Sequence, residues 1–150
     1  MRILVDADAC PVKDIIVNVA KSFNISVMMF IDTSHVLSDD YSKVIIVSQG
    51  KDSVDMALIN SVEKGDIIIT QDYGLAAMVL AKKAHVINQN GLIYTNDNID
   101  MLLLQRHLSQ KARKARKKVK NAKKRTQSDN YLFEESFTKL CESLVNTSCY

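Results

Sequence analysis

Ile3-Leu4-Val5-Asp6-Ala7-Asp8-Ala9-Cys10-Pro11-Val12-Lys13 follows directly on Met1-Arg2. Three apolar residues break off into two carboxylates one residue apart, and a helical pattern comes next. A buried parallel strand has that pattern where it ends at a site. In open α/β sheets, ligands bind beyond the carboxyl ends of the strands. Two carboxylates so placed repel each other unless a proton or a cation relieves them. A divalent metal with oxygen ligands is the simplest relief. The competing reading is that one Asp faces water and the other caps the next helix.

The same pattern returns in Gly65-Asp66-Ile67-Ile68-Ile69-Thr70-Gln71-Asp72-Tyr73-Gly74-Leu75-Ala76. An apolar β-branched run again ends in a carboxylate, Asp72, ahead of a helical stretch. In a parallel sheet both strand ends lie on one edge, which brings Asp6, Asp8 and Asp72 toward one cleft. Asp72 also reads as a plain helix N-cap. Between the two windows, Val54, Ala57, Leu58 and Val62 recur at helical spacing in Gly50-Lys51-Asp52-Ser53-Val54-Asp55-Met56-Ala57-Leu58-Ile59. Asp52 as N-cap and Asp55 as third helical residue would make a capping box with Asp in place of Glu. Alternatively, Asp55 points from the first turn into the acidic cleft.

Five strands are expected, at residues 3–6, 25–31, 44–47, 67–70 and 84–87, with helices at 13–23, 52–63 and 73–83. Pro11 suits a first helical turn, where its missing N–H is not needed. This alternation predicts an α/β fold with a parallel sheet covered on both faces. The link from Ile31 to Val44, with Asp39 and Asp40, reads as a loop. Asn88-Gln89-Asn90-Gly91 is a turn signal, followed by a short strand at 92–94. Caps between Thr95 and Asn98 start a helix through Ile99, Met101, Leu102, Leu103 and Leu104, expected to continue into the basic stretch 111–125. Ser128 or Asp129 is expected to cap a last amphipathic helix carrying Leu132, Phe133, Phe137, Leu140 and Leu144.

At 150 residues with 47% hydrophobic content and four glycines, the chain reads as one globular domain over 1–150. Residues 106–150 are expected as a basic helical extension, packed on it or projecting. The net charge of +3 conceals a strong asymmetry: residues 106–125 hold eleven Lys or Arg and no Asp or Glu. Residues 1–105 hold eight basic and thirteen acidic residues, so an acidic body carries a basic arm. Three apolar residues before Asp6 are too few for a signal-peptide core, and no apolar stretch approaches a membrane span. Cys10, Cys141 and Cys149 form no CxxC pair, which argues against a disulfide framework or a zinc site. A reduced, cytoplasmic protein is expected. Cys10 has no evident His or Asn motif to activate it and reads as a buried thiol. His35, His85 and His107 show no metal-ligand spacing.

The windows 6–12, 52–55 and 65–76, with Asn90-Gly91-Leu92-Ile93-Tyr94, Asn98-Ile99 and Arg106, together resemble the bacterial YaiI/YqxD family over nearly the whole chain. That family is similar to PIN-like nucleases in fold and in its acidic residues. The resemblance implies a three-layer α/β/α sandwich and a carboxylate cluster holding Mg²⁺ or Mn²⁺. Asp6, Asp55 and Asp72 are the implied ligands, joined by Asp8, with Thr70 orienting a carboxylate. One departure is visible. Family members carry a Gly- and Pro-rich stretch after the basic residues beyond Arg106. Here Val119-Lys120-Asn121-Ala122-Lys123-Lys124-Arg125-Thr126 has neither, so a more helical tail is expected.

These readings lead to a metal-dependent phosphodiester hydrolase acting on nucleic acid, RNA before DNA, through Asp6, Asp8, Asp55 and Asp72. Arg106, Lys111, Arg113, Lys114, Arg116 and Lys117 would attract the polyanion that an acidic cleft alone repels. Tyr73 and Tyr94 are candidates for base stacking or for packing at a sheet edge. A haloacid-dehalogenase-type phosphatase is the first alternative, since Asp6-x-Asp8 fits its nucleophile and acid pair. Cys10, however, stands where Thr or Val is expected, and Gly65-Asp66 precedes a strand instead of following one. The second alternative is an inactive nucleic-acid or protein-binding module. No membrane partner is expected, and the oligomeric state stays open.

Overall fold

A computed structural model describes residues 1–32, 39–48, 50, 52–115 and 123–149. Among these residues, six strands form one sheet: β1 (Ile3–Asp6), β2 (Val27–Asp32), β3 (Lys43–Val47), β4 (Ile67–Ile69), β5 (His85–Ile87) and β6 (Ile93–Tyr94). Their order is β3-β2-β1-β4-β5-β6. All neighbours pair in parallel except β5 and β6, which are antiparallel. The side chains of β1 and β4 are buried on both faces from Ile3 to Val5 and from Ile67 to Ile69. Unbroken apolar runs are what such central parallel strands require.

Among the described residues, five helices cover the sheet: α1 (Lys13–Ser22), α2 (Ser53–Ser61), α3 (Tyr73–Ala81), α4 (Asn96–Lys114) and α5 (Gln127–Ser148). Alternate strand residues face opposite ways, which splits the core in two. Ile3, Val5, Met29, Ile31 and Ile69 pack with Ile16 and Val19 of α1 and with Phe133, Phe137 and Cys141 of α5. Leu4, Phe30, Ile68 and Val86 pack with Leu58 of α2, Val79 of α3 and Ile99 of α4. The result is the expected three-layer α/β/α sandwich.

The chain lays down β1, β2 and β3 in one direction, then returns to the other side of β1 for β4. The reversal leaves a crevice between β1 and β4 at the carboxyl edge, the place where open α/β sheets bind ligands.

Several local expectations are corrected. Pro11 lies in the turn before α1, whose N-cap is Val12 without a side-chain cap. Neither Asp6 nor Asp8 is therefore consumed as a helix cap there. The cap of α5 is Thr126, which forms a capping box with Asp129 as the third helical residue. The helix at 96 continues into the basic stretch as expected, as far as Lys114, but residues 123–126 are not helical, against the more helical tail expected there. Arg125 anchors the chain ahead of α5. Its guanidinium donates to Gln89 O at 2.6 Å, Asn90 Oδ1 at 2.8 Å and Asn130 Oδ1 at 2.7 Å. These bonds pin the chain to the turn after β5 and fix where α5 begins. Residues 33–38, with His35, and residues 116–122 lie outside the described residues. Among the described residues, no helix is long and apolar enough to cross a membrane.

Gly91 makes this junction possible. Its φ is +87°, and a Cβ there would stand 2.9 Å from Leu132 O and 3.1 Å from the Ser136 Cβ. Ser136 Oγ donates to Gly91 O at 2.7 Å. Gly91→Ala is therefore expected to destabilise the protein by about 1–3 kcal/mol, from positive φ and overpacking together. Urea unfolding measures it, with Gly65→Ala as the comparison: φ there is +84°, but nothing lies within 4 Å.

Candidate functional site at the carboxyl edge of the sheet

Asp6 is the last residue of β1, and the turn after β4 reaches it through Thr70. The Thr70 hydroxyl donates to Asp6 Oδ2 at 3.0 Å and accepts the Asp72 backbone N–H at 3.0 Å. Thr70 is 3% exposed. Because its oxygen already accepts from Asp72, its one proton is directed at Asp6. Asp72 is the N-cap of α3, its Oδ1 accepting from Leu75 N–H at 3.0 Å. The capping reading of Asp72 therefore holds in the geometry, and its backbone N–H ties it through Thr70 to Asp6. Arg106 Nη1 of α4 stands 3.7 Å from the same oxygen.

The Asp8 carboxylate accepts the backbone N–H of Asp32 at 3.2 Å. Asp52 is the N-cap residue of α2 but makes no side-chain cap hydrogen bond, and its φ of +61° is left-handed. The expected capping box is not formed: the left-handed backbone takes the side chain away from the helix N–H groups. Asp6, Asp8, Asp32, Asp52 and Asp55 line one open cleft of about 210 Å³. No Lys or Arg stands among its described lining residues. A smaller recess of about 80 Å³ is lined by Asp6, Asp8, Cys10, Thr70 and Gln89, among others. Asp6 and Asp8 form the wall common to both.

Burial pushes the Asp6 carboxyl up to about 6, and Asp55, Asp8 and Asp72 add to the rise against the opposing Thr70 hydrogen bond. Asp55 is also raised, by burial and then by Asp72 and Asp52. Clustered carboxylates that resist ionising together are common at functional sites. Every donor in the cluster is a carboxylate oxygen, the ligand type of a hard divalent cation. Among the described residues, no three His, Cys, Asp or Glu side chains are gathered tightly enough to hold a metal ion as they stand.

The basic residues divide. Arg106, Lys111, Arg113 and Lys114 are exposed on α4, whereas Arg116 and Lys117 lie outside the described residues. Arg106 and Arg113 line an open groove of about 400 Å³ with Tyr73 and Ser109. Arg106 joins that groove to Asp72. Tyr94 is 2% exposed and meets Tyr73 edge-on at 5.8 Å, so it packs in the core and offers no stacking face. Cys10 is buried, and burial raises its thiol. Asp66 is remote from the cleft. It lies at the amino edge, with Oδ2 2.6 Å from Arg2 Nη2 and 3.0 Å from Glu63 N. The later Gly-Asp pair of a haloacid dehalogenase thus has no counterpart in the cleft.

Asp32 and Asp52 were not among the residues expected in the site. The signal for Asp32 was present: β2 is a third parallel strand whose apolar run ends in Asp.

Strand order, layers and cleft define a doubly wound α/β protein with an aspartate-lined cleft at the carboxyl edge of its sheet, beside the switch point. The chain belongs to the family described as "Uncharacterized BCR, YaiI/YqxD family", whose profile matches residues 4–143. It is 57% identical over 136 residues to a UPF0178 protein of Ruminiclostridium cellulolyticum, covering 91% of this chain and 89% of the relative. A UPF0178 protein of Alkaliphilus oremlandii is 56% identical over 134 residues, covering 89% and 86%. One of Lachnoclostridium phytofermentans is 52% identical over 147 residues, covering 96% and 99%. No solved structure matches the chain.

Proposed function

We propose that the chain is a divalent-metal-dependent phosphodiester hydrolase acting on nucleic acid, with RNA preferred over DNA. The observation that carries this reading is the Asp6 carboxyl, raised to about 6 in a cleft of aspartates at the carboxyl edge of the sheet. Asp6, Asp8, Asp55 and Asp72 would hold Mg²⁺ or Mn²⁺, and Thr70 would keep Asp6 aimed at it. A bound ion of this kind supplies an activated water and offsets charge on the leaving oxygen. The chain's own part is to present carboxylates in a dented, partly dry edge. Arg106 and Arg113 draw a phosphate backbone to the groove beside them. Because the carboxylates are not gathered tightly in advance, metal affinity should be weak.

That same looseness favours one other reading, a module that binds nucleic acid without cleaving it. Single-turnover cleavage of an end-labelled RNA separates the two. Wild type should cut with Mn²⁺ and not with EDTA, and Asp6→Asn purified identically should not cut. Binding by both proteins without cleavage by either would leave the module.

A salt titration tests the groove. Arg106→Gln and Arg113→Gln should each lower the slope of log affinity against log salt by about 0.7 for single-stranded substrate. Affinity should weaken for all sequences alike, because phosphate contacts carry little sequence information. An unchanged slope would remove these arginines from the nucleic-acid surface.

A further inference from the structure

Helix α4 has a second face that the proposed activity does not use. Ile99, Leu102 and Leu103 turn toward the core. Roughly opposite them on the helical circle stand Met101, Leu104 and Leu108, exposed by 63%, 57% and 55%. Their spacing of three and four residues is that of a coiled-coil seam. The seam extends one step each way, to Asp97 before Met101 and to Lys111 after Leu108, and both are exposed. A row of three large apolar side chains in water, closed by opposite charges, asks for a partner.

We propose that α4 pairs antiparallel with α4 of a second copy of this chain, about a two-fold axis at Leu104. Asp97 and Lys111 are each seven residues from Leu104. An antiparallel pair centred there sets Asp97 of each copy against Lys111 of the other, twice. Met101 of each then interdigitates with Leu108 of the other, and Leu104 meets Leu104. The surface is self-complementary, as a two-fold interface must be. A parallel pair would set Asp97 against Asp97 and Lys111 against Lys111, so charge selects the antiparallel arrangement. An anionic lipid surface is a poorer occupant, because Asp97 and Asp100 share the exposed part of the helix. Arg106 and Arg113 lie away from the seam, so pairing leaves their groove and the aspartate cleft open.

Sedimentation velocity on the full chain tests this. Wild type should be a dimer at about 100 µM, and Leu104→Lys a monomer with an unchanged unfolding curve. Asp97→Lys and Lys111→Asp should each weaken the dimer about three- to tenfold, and the two together should restore it. Leu104→Cys in a Cys149→Ser background should give a disulfide-linked dimer on mild oxidation, since Cys10 and Cys141 are buried. A wild type that stays monomeric, or a dimer that survives Leu104→Lys, overturns the proposal. So does a double charge reversal that fails to restore association. Leu104-dependent flotation of a monomer with phosphatidylcholine–phosphatidylserine vesicles would overturn it in favour of a membrane surface.

Discussion

Asp6→Asn is expected to lower metal-dependent cleavage of RNA by roughly 10²- to 10³-fold while leaving the chain folded. Asp6 ends the central strand, forms part of both recesses of the cleft and receives the Thr70 proton. An asparagine oxygen still accepts from Thr70, so the side chain keeps its place and loses only its charge. The loss should appear in kcat more than in KM, since phosphate attraction rests with Arg106 and Arg113. Thr70→Val leaves every carboxylate present and removes only the bond that aims Asp6, and its smaller loss should be about 10- to 100-fold. Asp66→Asn is the control: at the opposite edge and paired with Arg2, it should lower stability without touching the chemistry per folded molecule.

The same residue should set a pH dependence of stability with a definite sign. An ordinary Asp titrates near 3.8, whereas Asp6 in the folded, metal-free chain titrates at about 6. Between those values the folded state binds the proton and the unfolded state does not. Stability from this group is thus full below pH 3.8 and is lost as pH rises through 6. Two units correspond to about 3 kcal/mol at neutral pH, as an order of magnitude. Asp55 is raised too and pulls in the same direction. Burial lowers His85, which works in the opposite sense, losing stability as pH falls. The readout is therefore the difference between wild type and Asp6→Asn in chelator. Asp6→Asn should be the more stable protein at pH 7.5, and the two should converge toward pH 4. Saturating Mn²⁺ at pH 7.5 should stabilise wild type selectively, by mass action on the folded state. Parallel stability curves for the two proteins from pH 4 to 7.5 would mean that Asp6 is not strained.

The three-layer sandwich was legible because its signals are local and redundant. Ile3–Val5 and Ile67–Ile69 are too uniformly apolar for anything but buried strands, and the helices between them carry the period that α/β units need. The candidate site was legible where a strand end and a carboxylate coincide, at Asp6 and Asp72. It was less so at Asp52 and Asp55, because a capping box and a site-facing carboxylate look alike in sequence. What separates them is the left-handed φ of Asp52, a backbone property no residue name declares. Asp32 escaped because it stands alone, without the doubled carboxylate that drew attention to Asp6. The non-helical backbone at 123–126 escaped because Arg125, which anchors it, acts through partners 35 and 36 positions away. Helix propensity alone gives no stop there, since the stretch lacks Gly and Pro.

Titration calorimetry with Mn²⁺ on wild type and on Asp6→Asn/Asp72→Asn is the most direct measurement of whether the aspartate cleft is a metal site. Wild type should bind weakly, with proton release to the buffer near pH 6 as binding deprotonates Asp6. The double variant, in which the Asp6 and Asp72 carboxylates have both lost their charge, should show no binding heat at the same concentrations. Equal binding by the two proteins would contradict the metal site and, with it, the proposed hydrolase.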